Sequence, residues 1–147
     1  MMSVVPLLIT PAVAKGAEPY VLLVDDHEPS LRRLDELLRS SGHHCMVARS
    51  GAEALACCDN RRPRVVVTDL SMPNLDGRGL ARWLQARCPS VPIILMTGQA
   101  FDPRSLDELE RTFTAVLPKP IDVDRLLALL DLLMPPPAQP QPDASRP

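Results

Sequence analysis

The chain has 147 residues, 46% of them hydrophobic, and a formal net charge of −2, which suits one compact domain with its own core and rules out a chain disordered throughout. Sixteen basic side chains face eighteen acidic ones and aromatics make up only 3%. That balance argues against a nucleic-acid-binding surface or a cationic face for anionic membranes.

In chain order, residues 1–19 are apolar and interrupted by Pro6, Pro11 and Pro19. The stretch before Lys15, ending in Ala12-Val13-Ala14, faintly mimics a signal peptide. It lacks a basic start, is broken by proline, and falls far short of the roughly 20 apolar residues of a membrane span. A flexible leader or a misassigned start is the expectation. Tyr20–Val24 (YVLLV) then reads as a strand ending in Asp25-Asp26. A helix follows, with Pro29 in its first turn, Leu31, Leu34, Leu37 and Leu38 on one face, and Gly42 as its stop. Cys45–Ala48 is a second strand, and SGAEALACC a second helix with Ser50 as N-cap. Val65–Thr68 is the third strand, followed by Asp69 and a loop, SMPNLDG, that enters a third helix weakened by Gly79. Pro92–Met96 is the fourth strand, closed by Thr97-Gly98. SLDELERTF is the fourth helix, with Leu106, Leu109 and Phe113 as a narrow stripe. Ala115–Leu117 is the fifth strand and leads into Pro118-Lys119-Pro120; the last helix, capped by Asp122, runs through a leucine-rich stretch. Its core stripe is Leu126, Leu129, Leu130 and Leu133, with Leu127 and Leu132 widening the apolar arc. Residues 135–147 are proline-rich and cannot form a core. The expected organisation is thus a leader over 1–19, one domain over 20–134, and a disordered tail over 135–147 with no second domain after it.

Five strand–helix units with mostly apolar strands predict an α/β fold: a doubly wound, five-stranded parallel sheet, (βα)5 and flavodoxin-like. Work in such folds is done at the carboxyl ends of the strands. Those ends deliver Asp25 and Asp26, Asp69, Thr97 and Lys119. Clustered carboxylates repel one another, and a hard divalent cation with oxygen ligands, such as Mg²⁺, relieves that repulsion. Any one of these residues could be an ordinary cap or turn acid; all of them at matching strand ends argue for a site. Elsewhere the chain offers little chemistry. Cys45, Cys57, Cys58 and Cys88 form no C-x-x-C and have no histidine at zinc-ligand spacing, so they read as small apolar packing in a reducing, cytoplasmic setting. His43 and His44 read as turn residues and His27 as a solvated loop residue. The arginines at 32, 33, 61, 62, 64, 78, 82 and 87 read as scattered.

With these residues in view, Tyr20 to about Leu133 resembles a response-regulator receiver domain, the phospho-accepting module of two-component signalling, of the stand-alone, chemotaxis-regulator-like kind. VLLVDDHEPSLR resembles the family's first strand and acid pair, VVVTDLSMPNLDG its phosphorylation strand and loop, ILMTG its hydroxyl strand and LPKP its Lys-Pro signature. The resemblance implies a role for each position. Asp69 would take a phosphoryl group from the phosphohistidine of a sensor histidine kinase or a histidine phosphotransfer protein. Asp25, Asp26, Asp69 and the main-chain carbonyl of Ser71 would hold Mg²⁺. Lys119 would neutralise phosphoryl oxygens, Thr97 would hydrogen-bond them, and Gly98 would leave room. Pro120 would follow a cis peptide bond. Ser71 and Gln99 would tune dephosphorylation. Signalling would run through phosphorylation-dependent protein–protein contact, with catalysis limited to the protein's own phosphotransfer and autodephosphorylation. The apolar arc of the last helix suggests a homodimer or partner surface on the fourth and fifth helices. Two other classes stand beside this one. An aspartyl phosphatase would want an Asp-x-Asp after the first strand, where this chain has adjacent acids. A pseudo-receiver that only binds partners would lack the acid pocket. One position departs from the family: Val116 stands where many members carry Tyr or Phe, which implies an output change without an aromatic swing. Val116→Ala is then expected to leave phospho-dependent partner binding largely intact, and a large loss in a binding assay would contradict it.

Overall fold

The computed structural model describes residues 18–134. The leader, apart from Glu18 and Pro19, and the tail read from the sequence lie outside the described residues. Five strands, β1 (Val21–Val24), β2 (Cys45–Ala48), β3 (Val65–Asp69), β4 (Ile93–Thr97) and β5 (Ala115–Pro118), alternate with five helices: α1 (Glu28–Ser40), α2 (Gly51–Asn60), α3 (Gly77–Arg87), α4 (Pro103–Thr112) and α5 (Val123–Leu133). The strands form one parallel sheet in the order β2-β1-β3-β4-β5. This is the doubly wound, flavodoxin-like fold the sequence predicts. The order reverses between β1 and β3, so the carboxyl ends of those two strands flank the crevice where ligands of such sheets bind.

Period-two alternation along the central strands splits the core in two. Leu22, Val24, Val66 and Leu95 face one side, where they pack with Ala54, Leu80, Leu84 and Leu109 of α2, α3 and α4. Val21, Leu23, Val65, Val67, Ile94 and Met96 face the other, against Leu31, Leu34 and Leu38 of α1 and Leu126 and Leu130 of α5. β1, β3 and β4 are buried residue by residue, as strands covered on both faces must be. The edge strands are less covered: Val47 in β2 is exposed, and Ala115 and Val116 in β5 are half-buried.

Local chemistry sets the helix ends. Ser50, Asp76, Asp102 and Asp122 each accept a hydrogen bond from the backbone N–H three residues on, satisfying a donor that the first helical turn leaves open. His27 does the same for α1, its ring nitrogen accepting from Ser30 N at 3.3 Å; the histidine expected as a solvated loop residue is a helix cap. Gly42, at φ +94°, takes the left-handed turn that ends α1. Several element ends differ from the sequence reading by a residue or two, and those of α4 and β3 have a clear physical cause. α4 starts at Pro103 rather than Ser105, because Asp102 caps it and proline suits the first turn. Phe113 leaves the helical stripe: it is extended and buried beyond the end of α4. Asp69 belongs to β3 itself, paired in register with Met96, so the strand backbone fixes it directly.

Candidate functional site

At the carboxyl end of the sheet, three strand termini place their polar residues side by side. Asp25 follows β1 and is buried, 3% exposed; Asp69 ends β3 at 7% and Thr97 ends β4 at 4%. Asp26, next to Asp25, faces solvent. One carboxylate oxygen from each of Asp25, Asp26 and Asp69 can be chosen so that all lie within 4.8 Å of one another. Lys119, just past β5, brings its Nζ to 2.9 Å from Asp69 Oδ1 and 3.5 Å from Asp25 Oδ2. The Lys119–Pro120 peptide bond is cis. Lys119 N donates to Thr97 O at 2.8 Å, tying the segment after β5 to the end of β4.

The backbone around the acids is closely fixed. Leu70 N donates to Met96 O at 3.0 Å, and Gly77 N donates to Leu70 O at 2.9 Å, closing the β3–α3 loop on itself. A Cβ on Gly77 would lie 2.7 Å from Asp69 O and 3.1 Å from Leu70 Cα, so no larger residue fits without moving the strand that carries Asp69. Asn74 turns that loop with a positive φ of 68°. Thr68, fully buried, donates from Oγ1 to Asp69 O at 2.9 Å. Asp25 Oδ1 accepts from His27 N at 3.0 Å, which aims its other oxygen toward Lys119.

Electrostatically the site is an acid pocket in which three carboxylates face one ammonium. Burial pushes the Asp69 carboxyl above the ordinary carboxylate range; Asp25 and Asp26 push the same way, and Lys119 opposes them. For Lys119, burial works to lower the ammonium's pKa, but the hydrogen bond to Asp69 and the charges of Asp25 and Asp69 outweigh it and hold it above its ordinary value. Three hard oxygen donors within reach of one another, of which Asp69 is disfavoured as an anion, fit a divalent cation that prefers carboxylate and water ligands.

Thr97 Oγ1 accepts from Gln99 N at 3.1 Å, and Gln99 Nε2 donates to Ser71 Oγ at 2.8 Å across the mouth of the pocket. Gly98 is exposed, and a Cβ there would meet nothing closer than Lys119 Cβ at 3.8 Å. The structure thus gathers every residue singled out at the strand ends. Sequence reasoning overlooked Thr68, which reads as one more core residue of β3, and the direct Ser71–Gln99 bridge, whose partners sit 28 positions apart. Val116 is half-buried against the same core cluster as Phe101.

A parallel (βα)5 sheet with buried aspartates at two strand ends and a lysine on a third is an α/β domain of the flavodoxin-like class. Residues 21–131 match the response regulator receiver domain, and the chain belongs to that family. Members of the family bind Mg²⁺ at the acidic cluster that Asp25, Asp26 and Asp69 form here. The DNA-binding transcriptional regulator NtrC of Klebsiella pneumoniae is 31% identical over 109 residues, which are 74% of this chain and 23% of that protein; the chain spans about a quarter of the length of such relatives. Among solved structures, the Francisella response regulator 1452 receiver domain is similar with a TM-score of 0.72 and 27% identity, covering 78% of this chain and 95% of that one. Vibrio cholerae chemotaxis protein CheY4 is similar with a TM-score of 0.71 and 26% identity, covering 80% and 100%. Among the described residues, no helix is long and apolar enough to cross a membrane.

Proposed function

We propose that this chain is a phosphorylation switch: Asp69 accepts a phosphoryl group from the phosphohistidine of a sensor histidine kinase or histidine phosphotransfer protein, and the phosphorylated form signals through protein–protein contact. One observation carries the reading: a rigidly held, buried aspartate lies 2.9 Å from a lysine ammonium, within the same cluster as two further carboxylates. In the step, an Asp69 carboxylate oxygen attacks phosphorus, the N–P bond breaks, and the histidine leaves with the electron pair. Hydrolysis by water returns the carboxylate and inorganic phosphate.

Asp25, Asp26, Asp69 and the Ser71 carbonyl would hold Mg²⁺, which when bound supplies positive charge to the phosphoryl oxygens. Lys119 has two tasks on this reading. It screens Asp25 and Asp69 from each other at rest, and it neutralises a phosphoryl oxygen once the acyl phosphate exists. The Thr97 hydroxyl donates to the phosphoryl group, and Gly98 offers no side chain to obstruct it. The fixed β3 backbone keeps Asp69 aligned, which lowers the ordering cost of attack. These residues act on the protein's own phosphoryl group and turn over no separate substrate. Four free cysteines support a reducing, cytoplasmic setting. Leu132, 81% exposed beside half-buried Leu129 and Leu133, supports association of two copies through α4 and α5. Residues 20–134 would be the switching unit, with 1–19 and 135–147 as appended segments.

The test is intact mass after incubation with Mg²⁺ and acetyl phosphate. A single phosphoryl adduct, absent in Asp69→Ala and without Mg²⁺, is the expected result. Folded protein that takes up no phosphoryl group would overturn the reading in favour of a phosphorylation-independent binding module.

A further inference from the structure

The end of the sheet opposite the acid pocket holds a second concentration of charge. Pro19 and Tyr20 lead into β1, and Arg61-Arg62-Pro63-Arg64 lead into β3. Arg64 N donates to Tyr20 O at 2.9 Å, so these two lead-in segments lie side by side. A cleft of about 520 Å³ opens there, within the size range of small-ligand sites. Arg61, Arg62 and Arg64 all line it, and Ser90 adds a hydroxyl. Pro19, Pro63 and Val91 supply apolar wall. Among the described residues, none of the three arginines has a carboxylate partner, whereas Arg39 and Arg49 elsewhere do. Glu18 also lines the cleft, but its carboxylate lies 3.9 Å from His44 Nε2.

Arg61 is held in place rather than free in solvent. Its guanidinium carbon sits 4.5 Å from the centre of the Tyr20 ring, a cation–π contact, and the Tyr20 hydroxyl donates to Arg61 O. Tyr20 is itself only 1% exposed, so the platform is part of the core. A guanidinium stacked on a fixed ring has its donor edge left over, and that planar fork matches phosphate oxygens two at a time. Three arginines on four consecutive residues, without carboxylate partners among the described residues and lining a partly apolar cleft, suit a compact ligand of high negative charge better than a single carboxylate.

We propose that this cleft binds a small ligand bearing a pyrophosphate group, with Arg61, Arg62 and Arg64 as its phosphate contacts and Pro19, Pro63 and Val91 as wall for any base or other apolar part. Such a ligand could be a free polyphosphate or a nucleotide; the shared chemistry is two linked phosphates. The site lies at the pole opposite Asp69 and does not depend on phosphoryl transfer there.

Isothermal titration calorimetry on the full chain, in low salt and without divalent cations, tests it with sodium pyrophosphate and with ATP as probes. Saturable binding to pyrophosphate that weakens as salt rises is expected. ATP binding no tighter than pyrophosphate would assign the ligand as polyphosphate, and tighter ATP binding would assign it as nucleotide; either supports the site. Arg62→Gln with Arg64→Gln, which leaves the Arg61–Tyr20 stack in place, should weaken binding by about tenfold or more for each charge removed, with an unchanged melting curve as the folding control. No saturable heat at several millimolar pyrophosphate, equal binding by the double variant, or binding of a hexaglutamate peptide as tightly as pyrophosphate would each overturn the proposal.

Discussion

The two poles of the sheet carry charge in opposite ways. At the carboxyl pole, three carboxylates cluster within 4.8 Å of one another, and one lysine pairs with the two buried ones, Asp25 and Asp69. At the amino pole, three arginines share a cleft and none has a carboxylate partner among the described residues. The difference follows from what delivers the side chains. Residues at strand ends inherit the rigidity of the ladder and can be buried with their charge, because partners from neighbouring strands arrive at fixed positions. Residues in the helix-to-strand connections remain at the surface, where water solvates a charge without a partner. The first arrangement suits chemistry on a group that must be aligned; the second suits capture of a ligand from solution.

The largest effects should come from breaking the paired pole. Asp69→Asn should abolish the phosphoryl adduct in intact mass spectra while leaving the fold unchanged by circular dichroism. Lys119→Met keeps the acids but removes their cation, and should slow phosphoryl uptake by about 10²–10³-fold, the usual scale for losing one electrostatic stabiliser of a transition state. A loss smaller than tenfold would mean that Lys119 serves mainly to screen Asp25 and Asp69 at rest.

Metal addition sharpens the same contrast. Mg²⁺ at about a hundred times its dissociation constant should stabilise the folded chain by about 2.7 kcal/mol in urea denaturation, by simple linkage. The gain should vanish with EDTA and shrink in Asp25→Asn. Equal stabilisation in that variant would move the metal away from the acid cluster.

Burial at the amino pole can be probed through its thiols. Cys45, near the start of β2, is pushed up to about 12 chiefly by burial, and Cys58, in the last turn of α2, to about 11 for the same main reason. A raised thiol pKa means less thiolate at a given pH, so both should react slowly with a disulfide reagent at pH 8 and quickly once urea unfolds the chain. Fast native labelling of Cys58 would show that α2 opens locally.

The smallest effect is expected at Leu132, at the amino-pole end of α5 and 81% exposed. Leu132→Ser should change monomer stability by no more than about 0.5 kcal/mol in a denaturant melt, yet reduce any self-association seen by light scattering. A clear loss of monomer stability would show that this leucine packs within its own chain.

Legibility in the sequence divides along the same line. Each acid-pocket residue follows directly on an apolar run, so the strand pattern alone points to Asp25, Asp69, Thr97 and Lys119. The same pattern reveals the sheet, because β1, β3 and β4 are covered on both faces and read as unbroken apolar stretches. What stayed hidden depends on contacts between distant segments. Nothing local says that Tyr20 lies under Arg61, that Ser71 meets Gln99, or that arginines expected as scattered would line one cleft. Element ends depart from the apolar stripe where a cap outranks it, as at Asp102 and Phe113.

The central claim is that Asp69, and no other carboxylate in the pocket, receives the phosphoryl group. Borohydride reduction of the acetyl-phosphate-treated protein, followed by peptide mass mapping, tests it most directly, because an acyl phosphate is reduced to the alcohol and leaves a permanent mark on its residue. Homoserine is expected at position 69, with Asp25 and Asp26 unmodified. A mark on Asp25 or Asp26, or an adduct that survives reduction on a serine or threonine, would contradict it.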